Sequence, residues 1–389
     1  MFICGIDISK FFHVASLIDS ESGQIIFDNF NFNNDHNGFS SFLDKISSIE
    51  DIILVMESTG HYGDNFISFF FNKGFNIALI NPITTSHIRK ASIRDIKNDH
   101  FDSFNIAKAF IINPVRFIDK TDINSLNLKK LTRFRNDSVK QLAKFKVRLV
   151  SAVDIIFPEL HSIFKSGIHS KACYHILKRY PDKKKIAALN INSLTKTLSK
   201  FSRGHFKEVH ASLLKSLASN SVGISDFSLS ILIPQLIQSI EMLDKQIKKK
   251  KKNIEILFKN SQSVITSIPG IGSVAAASIL GEIGNINRFS SASKLLAFAG
   301  LDPRVRQSGT CYAKSSRMSK RGSRYLRYVL IYTAWNVVRN NQTFKIYYER
   351  KRNQDKSHYQ ALGHVAHKLI RVLFKLLSAN IPFNDQLLV

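Results

Sequence analysis

The sequence predicts an α/β domain at the front of the chain and a longer all-α remainder behind it, on three observations. Up to about residue 115, short apolar runs rich in β-branched residues alternate with helix-length amphipathic stretches. Beyond that point the apolar residues recur mainly at helical spacing. The charge also changes sign. Residues 1–113 hold 8 Lys and Arg against 13 Asp and Glu, whereas the rest hold 48 against 16.

Taken in order, residues 1–8, 11–19 and 24–32 read as three strands in a meander, followed by a helix over 36–48. A fourth strand at 51–57, a helix near 62–73, a fifth strand at 75–81 and a helix starting near Asp99 complete the first domain. Such an order predicts a mixed sheet with helices on its faces, as in a ribonuclease-H-like domain. From Leu126 to about Leu160 runs a long basic helix that Pro158 should end. Short polar helices are expected over 161–224. Between Leu229 and Leu257 apolar residues fall at 229, 233, 236, 240, 243, 247, 254 and 257, a heptad pattern that fails only at Lys250. It predicts a coiled coil or helical hairpin, with a dimer seam as one use and a kink at Pro234. The run Lys248–Lys252 reads as solvated charge or as a patch for a nucleic-acid backbone. Ser267-Ile-Pro-Gly-Ile-Gly-Ser273 ahead of a helical run at 274–284 reads as a helix-hairpin-helix, with the backbone at Gly270 and Gly272 offered to a phosphate. Helices over 325–340 and 357–378 close the chain with apolar stripes suited to a core.

Size and composition set bounds. A chain of 389 residues and 44.1 kDa holds two or three domains with cores of their own. No run of about 18 apolar residues suggests a membrane span, and the start does not read as a signal peptide. Cys4, Cys173 and Cys311 follow neither disulfide nor zinc spacing, which suits a cytoplasmic protein. A net charge of +27, concentrated behind residue 113, suits a polyanion such as DNA.

The candidate chemistry rests on acids and one hydroxyl. Asp7 and Glu57 each lie at or beside the end of a predicted strand, and Asp99 and Asp102, three apart, share a helix face. Any one of them alone is more often a solvated or capping residue. Gathered together, four carboxylates would need a cation between them, and hard oxygen donors suit Mg²⁺ or Mn²⁺. A pair of such ions serves in-line displacement at phosphorus. Ser308 precedes a glycine in a loop-like stretch amid Arg304, Arg306, Arg317, Lys320, Arg321, Arg324 and Arg327. Its hydroxyl could attack a phosphodiester held by those cations, although a lone serine is more often a turn or cap residue.

Gly5-Ile-Asp7, Glu57-Ser-Thr-Gly-His-Tyr62, Asn81-Pro82, Lys97-x-Asp99-x-x-Asp102, Ile268-Pro-Gly-Ile-Gly272, Ala299-Gly-Leu-x-Pro303, Ser308-Gly309 and Ser319-Lys-x-Gly322 occur in one order along nearly the whole chain. In that order they resemble the DEDD insertion-sequence transposases, the "one-ten" group that includes Piv-type DNA invertases and bridge-RNA-guided recombinases. Asn98 and Ser103 depart from the usual Thr and Ala, and Asp95 is a carboxylate off the spacing. The resemblance implies a RuvC-like metal domain at 1–115, a helical linker and coiled coil at 116–262, and a serine transposase domain at 263–389. It also implies Mg²⁺ or Mn²⁺ on Asp7, Glu57, Asp99 and Asp102, a nucleophile at Ser308, DNA and a noncoding guide RNA as partners, and a homo-oligomer. The expected function is therefore metal-dependent DNA recombination that moves a mobile element. A hydrolytic RuvC-like endonuclease, an invertase without an RNA guide and a non-catalytic binding protein stand as alternatives.

Overall fold

A computed structural model describes residues 1–58, 61–82, 84–86, 99–303, 307–308, 311–312 and 318–385, with backbone alone at 99–101, 307–308 and 311–312. The chain divides into two compact units, 1–124 and 125–389.

The first unit is built on strands β1 (Phe2–Ile8), β2 (Phe12–Asp19), β3 (Ile25–Asn33), β4 (Ile52–Glu57) and β5 (Asn76–Ile80), in the spatial order β3-β2-β1-β4-β5. The meander β1–β2–β3 is antiparallel, whereas β4 runs parallel to β1 and β5 parallel to β4. This is the mixed sheet the alternating pattern predicts, with element ends within a residue or two. Helices α1 (His36–Ile46) and α2 (Asp64–Asn72) cover one face. There Phe39, Phe42, Phe66 and Phe70 pack on Cys4, Ile6, Leu54 and Met56. Asp35 caps α1 by accepting from the Gly38 N–H at 2.7 Å.

Helix α3 (Asp99–Ile112) covers the other face, where Ile106, Ala107, Ala109 and Phe110 meet Ile3, Ile53, Val55 and Ile80. Its approach is close because Gly5 has no side chain. A Cβ built there would lie 2.0 Å from the Ser103 carbonyl oxygen and 2.6 Å from the Ala107 nitrogen. Gly5→Ala is therefore expected to lift α3 off the sheet and to destabilise this unit by about 3 kcal/mol, the upper range for overpacking. Chemical denaturation monitored on the first unit checks it; a loss within experimental error of zero would show that α3 is not seated this tightly.

The second unit begins within α4 (Lys120–Ile156), which stops two residues short of Pro158 as expected. Short helices α5 (Leu160–Ile163), α6 (Lys171–Arg179), α7 (Lys183–Ala187), α8 (Ile191–Ser202) and α9 (Glu208–Ser219) follow. Next comes α10 (Phe227–Lys259), which continues through Pro234. In a single chain most of the heptad stripe of α10 is already covered: Ile233, Ile240, Leu243, Ile247 and Ile254 are buried, Leu229, Leu236 and Leu257 are partly buried, and Ile237 and Phe258 are buried beside them. Ile233, Ile237 and Ile240 share a core with Leu149, Val153 and Ile156 of α4, while Ile254 and Phe258 share another with Leu128. Rising numbers on α4 thus meet falling numbers on α10, so the two form an antiparallel pair and the seam is satisfied at home. Lys250 fits that seam because its ammonium lies 3.6 Å from the centroid of the Phe134 ring and donates to Ser138 Oγ at 2.7 Å.

The rest of the unit comprises α11 (Ser273–Ile283), α12 (Ala292–Ala299), the short strands β6 (Gln307–Ser308) and β7 (Cys311–Tyr312), and α13 (Arg324–Asn340), α14 (Gln342–Arg352) and α15 (His358–Ala379). Its core is centred on Val365, Ala366, Leu369, Ile370 and Leu373 of α15 with Leu330, Ala334 and Val337 of α13. Among the described residues no helix is long and apolar enough to cross a membrane.

Candidate active site

Strand pairing brings two of the four acids together. In the parallel β1–β4 ladder Phe2 lies opposite Ile52 and Ile6 opposite Met56, so the next step in register sets Asp7 beside Glu57. Neighbouring strands are about 4.8 Å apart, and side chains two residues apart share a face. Asp7 therefore shares the face of Ile3 and Gly5, and Glu57 that of Ile53 and Val55, which is the face α3 covers. Both lie where parallel strands end at their carboxyl termini, the usual place for a ligand crevice in such sheets.

The third acid comes from α3. Ser103 and Ala107 are pressed onto Gly5, so Asp102, one residue before Ser103 and in the first helical turn, enters at the same end of the sheet. One Asp102 carboxylate oxygen is shut off from solvent. The side chain of Asp99 lies outside the described residues, as do Asp95 and Asn98. Among the described residues no three metal-binding side chains converge as a cation site.

Two residues around these acids have roles that sequence reasoning did not assign. Thr85 is fully buried and donates its hydroxyl to Glu57 Oε1, with Pro82 O 3.0 Å away. The only sequence signal was the Asn81-Pro82 turn, which says where a chain bends and not which hydroxyl it delivers. Ser103 is the second. Its hydroxyl lies 2.7 Å from Ser16 Oγ, and Ser16 donates to Asp28 at 2.6 Å, so Ser103 must be the donor to Ser16. Asp28 reaches Ser16 through a bulge: β3 sets Asp28 and Asn29 against the single Ser16, with Asn29 at φ 57°. The Ser103 hydroxyl is thus fully accommodated.

Ser308 ends β6 and pairs with Cys311 of β7, so the expected loop is a short antiparallel ribbon at this point. The motifs on either side of it clasp each other. Pro303 bridges to Met318, the Ser319 N–H donates to Asp302 O at 2.7 Å, and the Ser319 hydroxyl donates to the Asp302 carboxylate. Lys320 N–H donates to Gly300 O, and Ser323 N–H to Phe298 O. Gly300 and Gly322 have positive φ, and a Cβ on either would strike backbone of the opposite segment at 2.3 Å or less. Ala299-Gly-Leu-x-Pro303 and Ser319-Lys-x-Gly322 therefore form the base of the ribbon that carries Ser308.

Of the predicted cations, Arg304, Arg306 and Arg317 lie outside the described residues. Lys320, Arg321 and Arg324 are exposed, and Arg327 is half-buried with Nη1 donating to Ala299 O. Gly270 has a packing role. Its φ is +95°, and a Cβ there would come within 2.6 Å of the Asn336 carbonyl on α13. Gly272 has open space around it and precedes α11.

Beneath this frame lies an ion pair between a buried carboxylate and a partly exposed arginine. Glu282 of α11 accepts from Arg133 Nε at 2.6 Å and Nη2 at 2.9 Å, and from the Ser323 hydroxyl at 2.7 Å, with Ser323 in turn capping α13. Burial pushes the Glu282 carboxyl up, but the Arg133 and Ser323 hydrogen bonds and the adjacent positive charge outweigh it and hold it below its usual range. Arg133→Ala is expected to cost about 3 kcal/mol, because it strands a buried carboxylate. Glu282 is lowered, so the pair contributes fully above pH about 4.3 and its contribution is lost as pH falls through the lower folded value. Thermal melts of both proteins from pH 7 into acid should show the gap narrowing; a gap that widens in acid would rule this account out.

Two family models match the chain. One, described as a transposase model of DEDD type from IS110 elements, covers residues 4–158, and one described as the transposase IS116/IS110/IS902 family covers 262–349. The chain belongs to the IS110 family of DEDD transposases. This transposase is 23% identical over 377 residues, 96% of its length and 94% of the relative's, to the 44.8 kDa protein of insertion element IS116 from Streptomyces clavuligerus. Over 310 residues, 79% of the chain and 72% of the relative, it is 24% identical to the transposase of insertion sequence element IS1111A from Coxiella burnetii. It is also 30% identical to the pilin gene-inverting protein of Moraxella bovis over 126 residues, 32% of the chain and 39% of the relative. The transposase is thus a DNA recombination enzyme of mobile elements.

Proposed function

We propose that this transposase cuts and rejoins DNA through Ser308, with Asp7, Glu57, Asp99 and Asp102 acting on the same phosphate. The observation that carries the acid half is the β1–β4 register, which ends at Ile6 opposite Met56 and so leaves Asp7 and Glu57 as the next residues at that end of the sheet, on the face α3 covers. That strand order, three antiparallel and two parallel, supports a ribonuclease-H-like, RuvC-type domain over residues 1–115. Residues 116–262 act as the helical linker and coiled coil, and 263–389 as the serine transposase domain.

Two carboxylates side by side repel unless a cation joins them, and an all-oxygen donor set fits a hard divalent ion. Asp7, Glu57, Asp99 and Asp102 are the residues that would hold Mg²⁺ or Mn²⁺, which when bound would offset charge on the reacting phosphate. Thr85 keeps Glu57 turned toward that end of the sheet. Ser308 Oγ attacks phosphorus, one deoxyribose oxygen leaves and takes up a proton, and the bond to serine conserves the phosphodiester's energy. Attack by the freed hydroxyl of another strand then reverses the step and releases the serine. No ATP is required, in keeping with the lack of a Gly-x-x-x-x-Gly-Lys-Ser/Thr sequence. Lys320, Arg321 and Arg324, exposed beside the serine ribbon, and Arg304, Arg306, Arg317 and Arg327 supply the cations for DNA. An element-encoded guide RNA and a homo-oligomer complete the reading, and both are supported by the family resemblance.

The test is cleavage of end-labelled element DNA followed by denaturing separation with and without protease. Protein-linked ends that protease releases are the expected result; free 5′-phosphate ends alone would replace serine chemistry with hydrolysis.

A further inference from the structure

The second unit carries a row of three aromatic rings, two of them exposed and one half-buried, that the chemistry above does not use. Tyr325, Tyr328 and Tyr332 recur at helical spacing on α13 and line an open groove of about 490 Å³ together with Arg135, Lys251 and Ser273. Tyr328 and Tyr332 are 54% and 59% exposed, with ring centroids 6.4 Å apart and planes only 16° from parallel. Large aromatic faces left side by side in water usually mark a binding surface.

The opposite wall of the groove suits a polyanion. Arg135 Nε is buried and has no hydrogen-bond partner among the described residues, so the groove contains a cationic donor awaiting an acceptor. The first turn of α11 at Ser273 lines the same groove and presents backbone N–H groups. The acids there are occupied: Glu282 is tied to Arg133, and Glu255 accepts from Ser273 at 3.1 Å with Lys251 3.8 Å away.

Stacking faces beside phosphate donors select for an unpaired strand, because a duplex keeps its base faces stacked on one another. We propose that this groove binds a short single-stranded DNA segment, with bases stacked on Tyr328 and Tyr332 and a phosphate at Arg135. The inference rests on the family's action on DNA and is independent of the roles given to Ser308 and the acids.

The test uses the full-length protein and a single strand of about 12 nucleotides, within the usual range of single-strand sites, carrying 2-aminopurine as a stacking reporter. Binding with quenched 2-aminopurine emission is expected. Tyr328→Ala with Tyr332→Ala should remove the quench and weaken binding by about 30-fold or more, given the usual worth of a stacked base. Tyr328→Phe with Tyr332→Phe should retain both, since the ring is needed and the hydroxyl is not. Tyr328→Leu with Tyr332→Leu preserves apolar volume without a π-face, so it should fail like the alanine pair whatever the alanine pair's stability. Arg135→Ala should lower the salt slope by about 0.7. A leucine pair that binds and quenches like wild type would overturn the proposal, as would equal affinity for the duplex of the same sequence. Tighter binding of the matching RNA would overturn the assignment to DNA. Unchanged DNA cleavage by Ser308→Ala would leave this result untouched, so the two readings fail separately.

Discussion

Ser308→Ala is expected to abolish the denaturant-stable protein–DNA adduct and all strand joining, while DNA affinity stays within about twofold of wild type. Alanine removes the one oxygen that bonds to phosphorus and leaves the cations of the ribbon in place, so binding and chemistry should separate. The structure adds a reason to expect little unfolding. Ser308 ends a two-residue strand whose base is held by Pro303–Met318, Asp302–Ser319 and the Gly300–Lys320 contact, none of which involves the serine. Electrophoresis of labelled DNA after denaturation, beside a binding titration, makes the comparison. Adduct formation by the alanine protein at wild-type level would remove Ser308 from the mechanism.

Asp7→Asn and Glu57→Gln should each slow strand cleavage on the order of a thousandfold, the scale at which an ion's charge stabilisation of a phosphoryl transition state is lost. A second readout separates this from a merely structural effect. Adding Mg²⁺ at ten times its dissociation constant should stabilise the wild-type protein by about 1.4 kcal/mol. Neither variant should gain that increment, while without metal both should fold as well as wild type or better, because a like-charge contact between neighbouring strands is relieved. Equal metal-induced stabilisation of wild type and both variants would show that the ion, if bound, sits elsewhere.

Local order was largely legible in the residues. The strand and helix ends of the first unit come out within about two residues of the pattern because alternation and 3.6-residue periodicity are properties of neighbouring side chains. Gly5-Ile-Asp7 shows the limit. The motif marked an acid near a strand end, but the need for glycine came from α3, a segment about a hundred residues away that presses its backbone onto that position. Thr85 gave no sequence signal of its own and Ser103 only that of departing from the family pattern, since their value lies in Glu57 and Ser16, partners distant in the chain. The heptads of α10 were equally legible as a stripe and silent about their partner, which proved to be α4 of the same chain.

By itself, then, the sequence determined which segments are strands or helices, where the acids and the serine stand along them, and that the cationic surface lies behind residue 113. Tertiary structure alone decided that β1 lies next to β4, that α10 folds back on α4, and that two glycine motifs clasp to build the ribbon under Ser308. The division has a physical cause. Periodicity and turn chemistry are encoded within a few residues, whereas strand neighbours and helix partners depend on which distant apolar faces bury one another best.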